Sequence, residues 1–60
     1  MEVKVGDKVK WFDEGLKSNG FGVVVAVFEK DQTLSVRTEG SRFFRFFFFD
    51  QVINLGDDDE

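Results

Sequence analysis

Acyl or phosphoryl transfer through a covalent intermediate needs a nucleophile beside a base. The chain offers hydroxyls at Ser18, Ser35 and Ser41 but has no His and no Cys. Without His it lacks the commonest general base and the commonest metal ligand. Without Cys it can form neither a disulfide nor a thiolate zinc site. Carboxylates adjoin at Asp13-Glu14 and again at Asp57, Asp58, Asp59 and Glu60. Both stretches are polar, and solvated acids keep ordinary pKa values that suit them poorly to general acid work. Four consecutive acids also lack the alternating ligand positions of a calcium loop. Gly20-Phe21-Gly22 is too short for a phosphate-cradling loop and opens a strand instead of a helix. These residues predict no enzyme, no catalytic residue, no metal site and no cofactor.

Binding chemistry is better represented. The 60 residues include nine Phe and one Trp, and the three arginines all fall between positions 37 and 45. Alternate residues of a strand point to opposite faces. Burying Arg45 unpaired is costly, so Arg45 is expected outward with Phe43 and Phe47, while Phe44, Phe46 and Phe48 turn into the core. On the first strand Val9 and Trp11 share one face, and Lys8, Lys10 and Phe12 the other. Arg37 is expected outward, flanking Arg45. The candidate partner-binding set is therefore Lys10, Trp11, Phe12, Arg37, Phe43, Arg45 and Phe47. Rings interleaved with cations suit single-stranded nucleic acid, and contiguous exposed apolar side chains suit a protein partner. The Phe-rich strand could equally form a homodimer seam.

The elements that must hold these residues are strands. Val, Phe and Thr are abundant, Pro is absent, and helix formers do not recur at helical spacing. The turn at Gly6-Asp7 leads into a strand over 8–12. A polar loop over 13–20 precedes a long strand over 21–28, where Gly22 signals a bulge or a close backbone approach. A turn over 29–32 leads to a cleanly alternating strand over 33–38, with Leu34 and Val36 on one face. Glu39-Gly40 supplies a hairpin turn before a strand over 42–48. A 3₁₀ turn over 49–51 and a last strand over 52–55 complete the pattern. The expected fold is all-β: five strands in a small barrel over residues 1–56, followed by an acidic, disordered tail over 57–60. That tail holds four of the twelve acids, so the remaining eight acids balance the eight basic residues. A globally basic nucleic-acid binder is not indicated.

This order of strands, with Val5-Gly6-Asp7-Lys8-Val9, Gly20-Phe21-Gly22-Val23-Val24 and the Asp50-Gln51-Val52 turn, resembles the SH3-like barrels, including Tudor and KOW-type modules. Two shorter segments, Lys8-Val9-Lys10-Trp11-Phe12-Asp13 and Asn19-Gly20-Phe21-Gly22-Val23-Val24, resemble cold-shock domains. Asn19 stands where that family has a basic residue, and Val23 where it has a stacking Phe. The resemblances imply a non-enzymatic binding module. The neutral body favours a protein-interaction or inhibitor role; the Arg hairpin and aromatic interleaving favour binding of single-stranded DNA or RNA. No apolar run reaches the roughly 20 residues of a membrane span, and no signal-peptide pattern opens the chain. The expected location is cytoplasmic, the expected partner a protein or nucleic acid and not a membrane.

Overall fold

Strand formation follows from β-branched and aromatic residues alternating with polar ones between turn-forming stretches. The computed structural model describes residues 3–56, so the acidic tail over 57–60 lies outside the described residues. Its elements are β1 (Lys8–Asp13), β2 (Ser18–Phe28), β3 (Thr33–Thr38), β4 (Phe44–Phe48), a 3₁₀ turn (Phe49–Gln51) and β5 (Ile53–Gly56). The third strand and the 3₁₀ turn match the sequence reading to the residue. The first loop is shorter than expected, because β1 and β2 stay paired out to Asp13 and Ser18.

The strands form one antiparallel sheet in the order β4-β3-β2-β1-β5. Among the described residues the sheet is open: β4 and β5 are its two edges, and no ladder closes the expected barrel. Among the described residues no helix is long and apolar enough to cross a membrane.

One face carries the core. Val9, Trp11, Val24, Leu34, Val36 and Val52 are buried, with Val3, Val27, Phe47 and Phe49 packed against them. The eleven-residue β2 keeps this face supplied through a register shift between Val24 and Ala26. Val24 pairs with Val36, and Val27 with Leu34. The extra residue, Val25, bends the strand so that both valines face the core although three positions apart. Asp7 secures the approach to β1. It is buried, and its carboxylate accepts from the Lys4 N–H (3.0 Å) and from Asn54 Nδ2 on β5 (3.1 Å).

Glycine is required where the Trp11 indole crosses β2. A Cβ on Gly20 would come within 2.6 Å of the indole, and one on Gly22 within 2.7 Å of the Arg37 carbonyl oxygen. The close approach signalled by Gly22 is therefore real, while the bulge lies at Val25.

The facing of β4 is opposite to the sequence expectation. Val36 pairs with Arg45 and Leu34 with Phe47. Directly opposed residues share a face, so Arg45 and Phe47 lie on the core side. Phe44, Phe46 and Phe48 point away and stay exposed, Phe46 to 71%. The expectation failed because it assumed that the core side desolvates whatever lies on it. At an edge strand it does not: the Arg45 side chain remains 47% exposed while its guanidinium reaches Asp13.

Two substitutions test this facing. Phe47→Ala should destabilise by about 2–4 kcal/mol, below a fully buried Phe because the ring is half-buried. Phe46→Ala should cost about 0.5 kcal/mol or less. Urea unfolding of both variants, compared by midpoint, checks the order; the reverse order would restore the original facing.

Candidate functional site

The seven predicted site residues divide between two faces. On the core side, at the end of the sheet where β1, β2 and β4 converge, the structure gathers Trp11, Arg45 and Phe47. Trp11 is only 4% exposed. Its ring lies 4.7 Å from that of Phe47, tilted by 38°. The Arg45 guanidinium sits over both, 5.8 Å from the Trp11 centroid and 5.3 Å from that of Phe47. Asp13 Oδ2 receives Arg45 Nη1 at 3.4 Å. A cation already covers these rings, so Trp11 and Phe47 are core residues and not an open stacking pair. Trp11 Nε1 and Thr38 Oγ1 are buried there without a partner in the protein.

The opposite, outer face holds Lys10, Phe12 and Arg37. Arg37 pairs with Phe44 across the ladder, and Arg45 with Val36. The two arginines therefore lie on opposite faces, and the expected flanking does not occur. Phe43 sits in the loop before β4, 77% exposed, with its N–H held by Ser41 Oγ at 3.0 Å.

The outer face contains rings that sequence reasoning missed. Lys10 stands between Phe21 on β2 and Ile53 on β5. One row runs Lys8, Val23, Arg37, Phe44 across four strands. Farther along, Phe28 and Phe46 have ring centroids 6.3 Å apart. Phe12, Phe21, Phe44, Phe46, Phe48 and Ile53 are all exposed. No strand position on this face carries a carboxylate. Glu39, just past β3, reaches Lys8 Nζ at 2.9 Å. The signal available in the sequence was the Lys8-Lys10-Phe12 alternation; the β4 rings could join it only once the β3–β4 register was known.

Two carboxylates are held below the usual range. For Asp13 the first cause is the Leu16 N–H; burial opposes it, and the Gly15 N–H and Arg45 add to it. For Asp7 the Lys4 N–H leads, burial opposes, and Asn54 and the Lys4 side chain assist. Among the described residues no three acidic side chains are grouped to hold a metal ion. Comparison with protein-family models, curated proteins and solved structures returns no match.

A depressed carboxylate stabilises the fold above its unfolded pKa, and that contribution is lost as pH falls through the folded value. As far as these two groups determine it, stability should hold from neutral pH to about pH 5 and decline below about pH 4. Urea midpoints measured against pH check this, and Asp7→Asn should flatten the acid limb. A midpoint that rises on acidification contradicts it. Arg45→Ala should destabilise by about 0.5–2 kcal/mol through the lost cation–π contacts, read by the same unfolding curves.

Proposed function

We propose that the chain is a non-enzymatic protein-interaction module on an SH3-like barrel, docking its partner through the outer face. The strand order β4-β3-β2-β1-β5, with a 3₁₀ turn between β4 and β5, supports the barrel reading. The observation that carries the function is the outer face itself. Phe12, Phe44 and Phe46 are 59%, 60% and 71% exposed on one sheet surface. An apolar surface of that kind on a domain this small is an interaction site. Interface cores are rich in aromatics and poor in carboxylates, as this face is. Lys10 and Arg37 select a partner whose apolar patch is fringed by acids, since complementary charge steers encounter and fixes orientation.

Single-stranded nucleic acid is the second reading, favoured by the placement of Lys10 beside Phe21 and of Arg37 beside Phe44. The observations weigh less for it. The face has three cations, and Glu39 engages one of them, Lys8. Acids and bases balance over residues 1–56 of the chain, eight against eight, so no net positive charge of the body attracts phosphate.

Salt separates the two. Three phosphate contacts on a single strand give a slope of about −2 in log affinity against log salt, or roughly 100-fold weakening per tenfold rise. Apolar docking changes little. We expect the immobilised chain to retain a protein from nuclease-treated extract, with affinity altered less than about tenfold between about 0.1 and 1 M salt. Phe12→Ser and Phe44→Ser should abolish retention while leaving the unfolding midpoint nearly unchanged. Retention only before nuclease treatment, lost steeply with salt, would transfer the face to nucleic acid.

A further inference from the structure

The backbone along the outer margin of β4 has a self-complementary arrangement. β4 ends the sheet, and among the described residues no strand pairs beyond it. The Phe43 carbonyl accepts the Thr38 N–H, and the Phe49 N–H donates to the Gln32 carbonyl. Peptide groups alternate along a strand, so positions 43, 45, 47 and 49 face β3. Those of Phe44, Phe46 and Phe48 point away from the sheet.

Natural edges of this kind are blunted by Pro, bulges or inward-pointing charge. Here the chain has no Pro, the β3–β4 ladder is unbroken from Thr33–Phe48 to Arg37–Phe44, and the one charge on the core side of β4, Arg45, is already paired with Asp13 of the same chain. The opposite edge differs: β5 has four residues, and its pairing with β1 slips between Lys8 and Val9. Among the described residues the one cover on the β4 edge is Gln51, whose Oε1 accepts the Phe48 N–H at 2.9 Å. Phe44 and Phe46 keep their outward N–H and C=O groups without such a cap.

We propose that β4 pairs antiparallel with β4 of a second copy of the chain, with the two-fold axis at Phe46. This register sets Phe44 against Phe48 of the second copy, giving roughly six backbone hydrogen bonds, two for each facing pair. Electrostatics selects it. Arg45 then lies opposite Phe47 of the second copy, adding a ring to the two it already covers. Arg42 runs toward Asp50. The register displaced by two residues would instead set Arg45 against Arg45 across the axis, and like charges directly opposed destabilise a ladder. The seam is short. With about 150–250 Å² per fully covered Phe and only part of each ring covered, it falls below the roughly 1,200 Å² of a stable assembly. The dimer is therefore reversible and concentration-dependent. It joins two outer faces edge to edge and leaves Phe12 and Phe21 accessible, while Phe44 and Phe46 belong to both the seam and the proposed docking face.

Sedimentation of the full chain over a concentration series tests the seam. The expected mass moves from 6.9 kDa toward twice that value. Phe46→Pro removes the edge N–H at the axis without touching a β3 bond, and should give a monomer with a retained β spectrum. Phe46→Lys provides the same test should the proline variant unfold. Gln51→Ala frees the Phe48 N–H and should tighten dimerisation severalfold, an effect the displaced register would not show. Phe46→Cys should cross-link on oxidation, since facing Cα atoms about 5.5 Å apart permit a disulfide; Phe12→Cys should not. A monomer at every concentration up to about 1 mM, a dimer that survives both Phe46 variants, or a polymer growing without limit would overturn the proposal.

Discussion

The Trp11 indole can lie where it does only because positions 20 and 22 carry no Cβ. From that seat the ring binds the sheet together across its strands. It belongs to β1, rests on β2, and packs against Phe47 of β4 beneath the Arg45 guanidinium. Leu34, Val36 and Val24 complete the same cluster. A chain this short buries only about 60% of its unfolded surface, and the buried part is spent on one face of the sheet. The exposed outer face is a consequence of that shortage as much as of any function. The residues left there are rings and cations, where a solvated face would ordinarily carry mixed charge.

The elements were legible because they depend on local chemistry. Thr33 to Arg37 alternates polar and apolar, and Phe49–Gln51 follows a strand that a polar pair interrupts. The facing of β4 was not legible in the same way. It is inherited from β3 through a register that the loop between them sets, and six consecutive positions from Phe43 to Phe48 hold nothing but Phe and Arg. A period of two cannot be phased when both phases are aromatic. The only contrast was Arg45, and it pointed the wrong way because a long side chain at an edge can keep its head in water.

The candidate surface suffered from the same uncertainty of phase. Of the seven residues expected together, Lys10, Phe12 and Arg37 share the outer face, while Trp11, Arg45 and Phe47 lie on the other side of the sheet. The exchange matters chemically. Trp11 looked like a stacking platform from its neighbours in sequence, yet its ring faces are occupied by Phe47 and Arg45 within the chain itself. Phe44, Phe46 and Phe48, which appeared destined for the core, are the β4 rings left exposed.

The slip in β2 at Val25 has a wider consequence. It makes β2 two segments of opposite parity joined at one residue, with Gly20, Gly22 and Val24 read in even steps and Val27 in odd ones. Substitution at Val25, which is itself exposed, changes one side chain. Its deletion would leave Val24, Ala26, Val27 and Phe28 in plain alternation, so Val27 would stay inward and Phe28 outward while the bend was lost. The bend therefore depends on the length of the chain at this position and not on which side chain stands there. Any descendant of this sequence that lost the residue would keep the same side chains in its core, on a straighter β2.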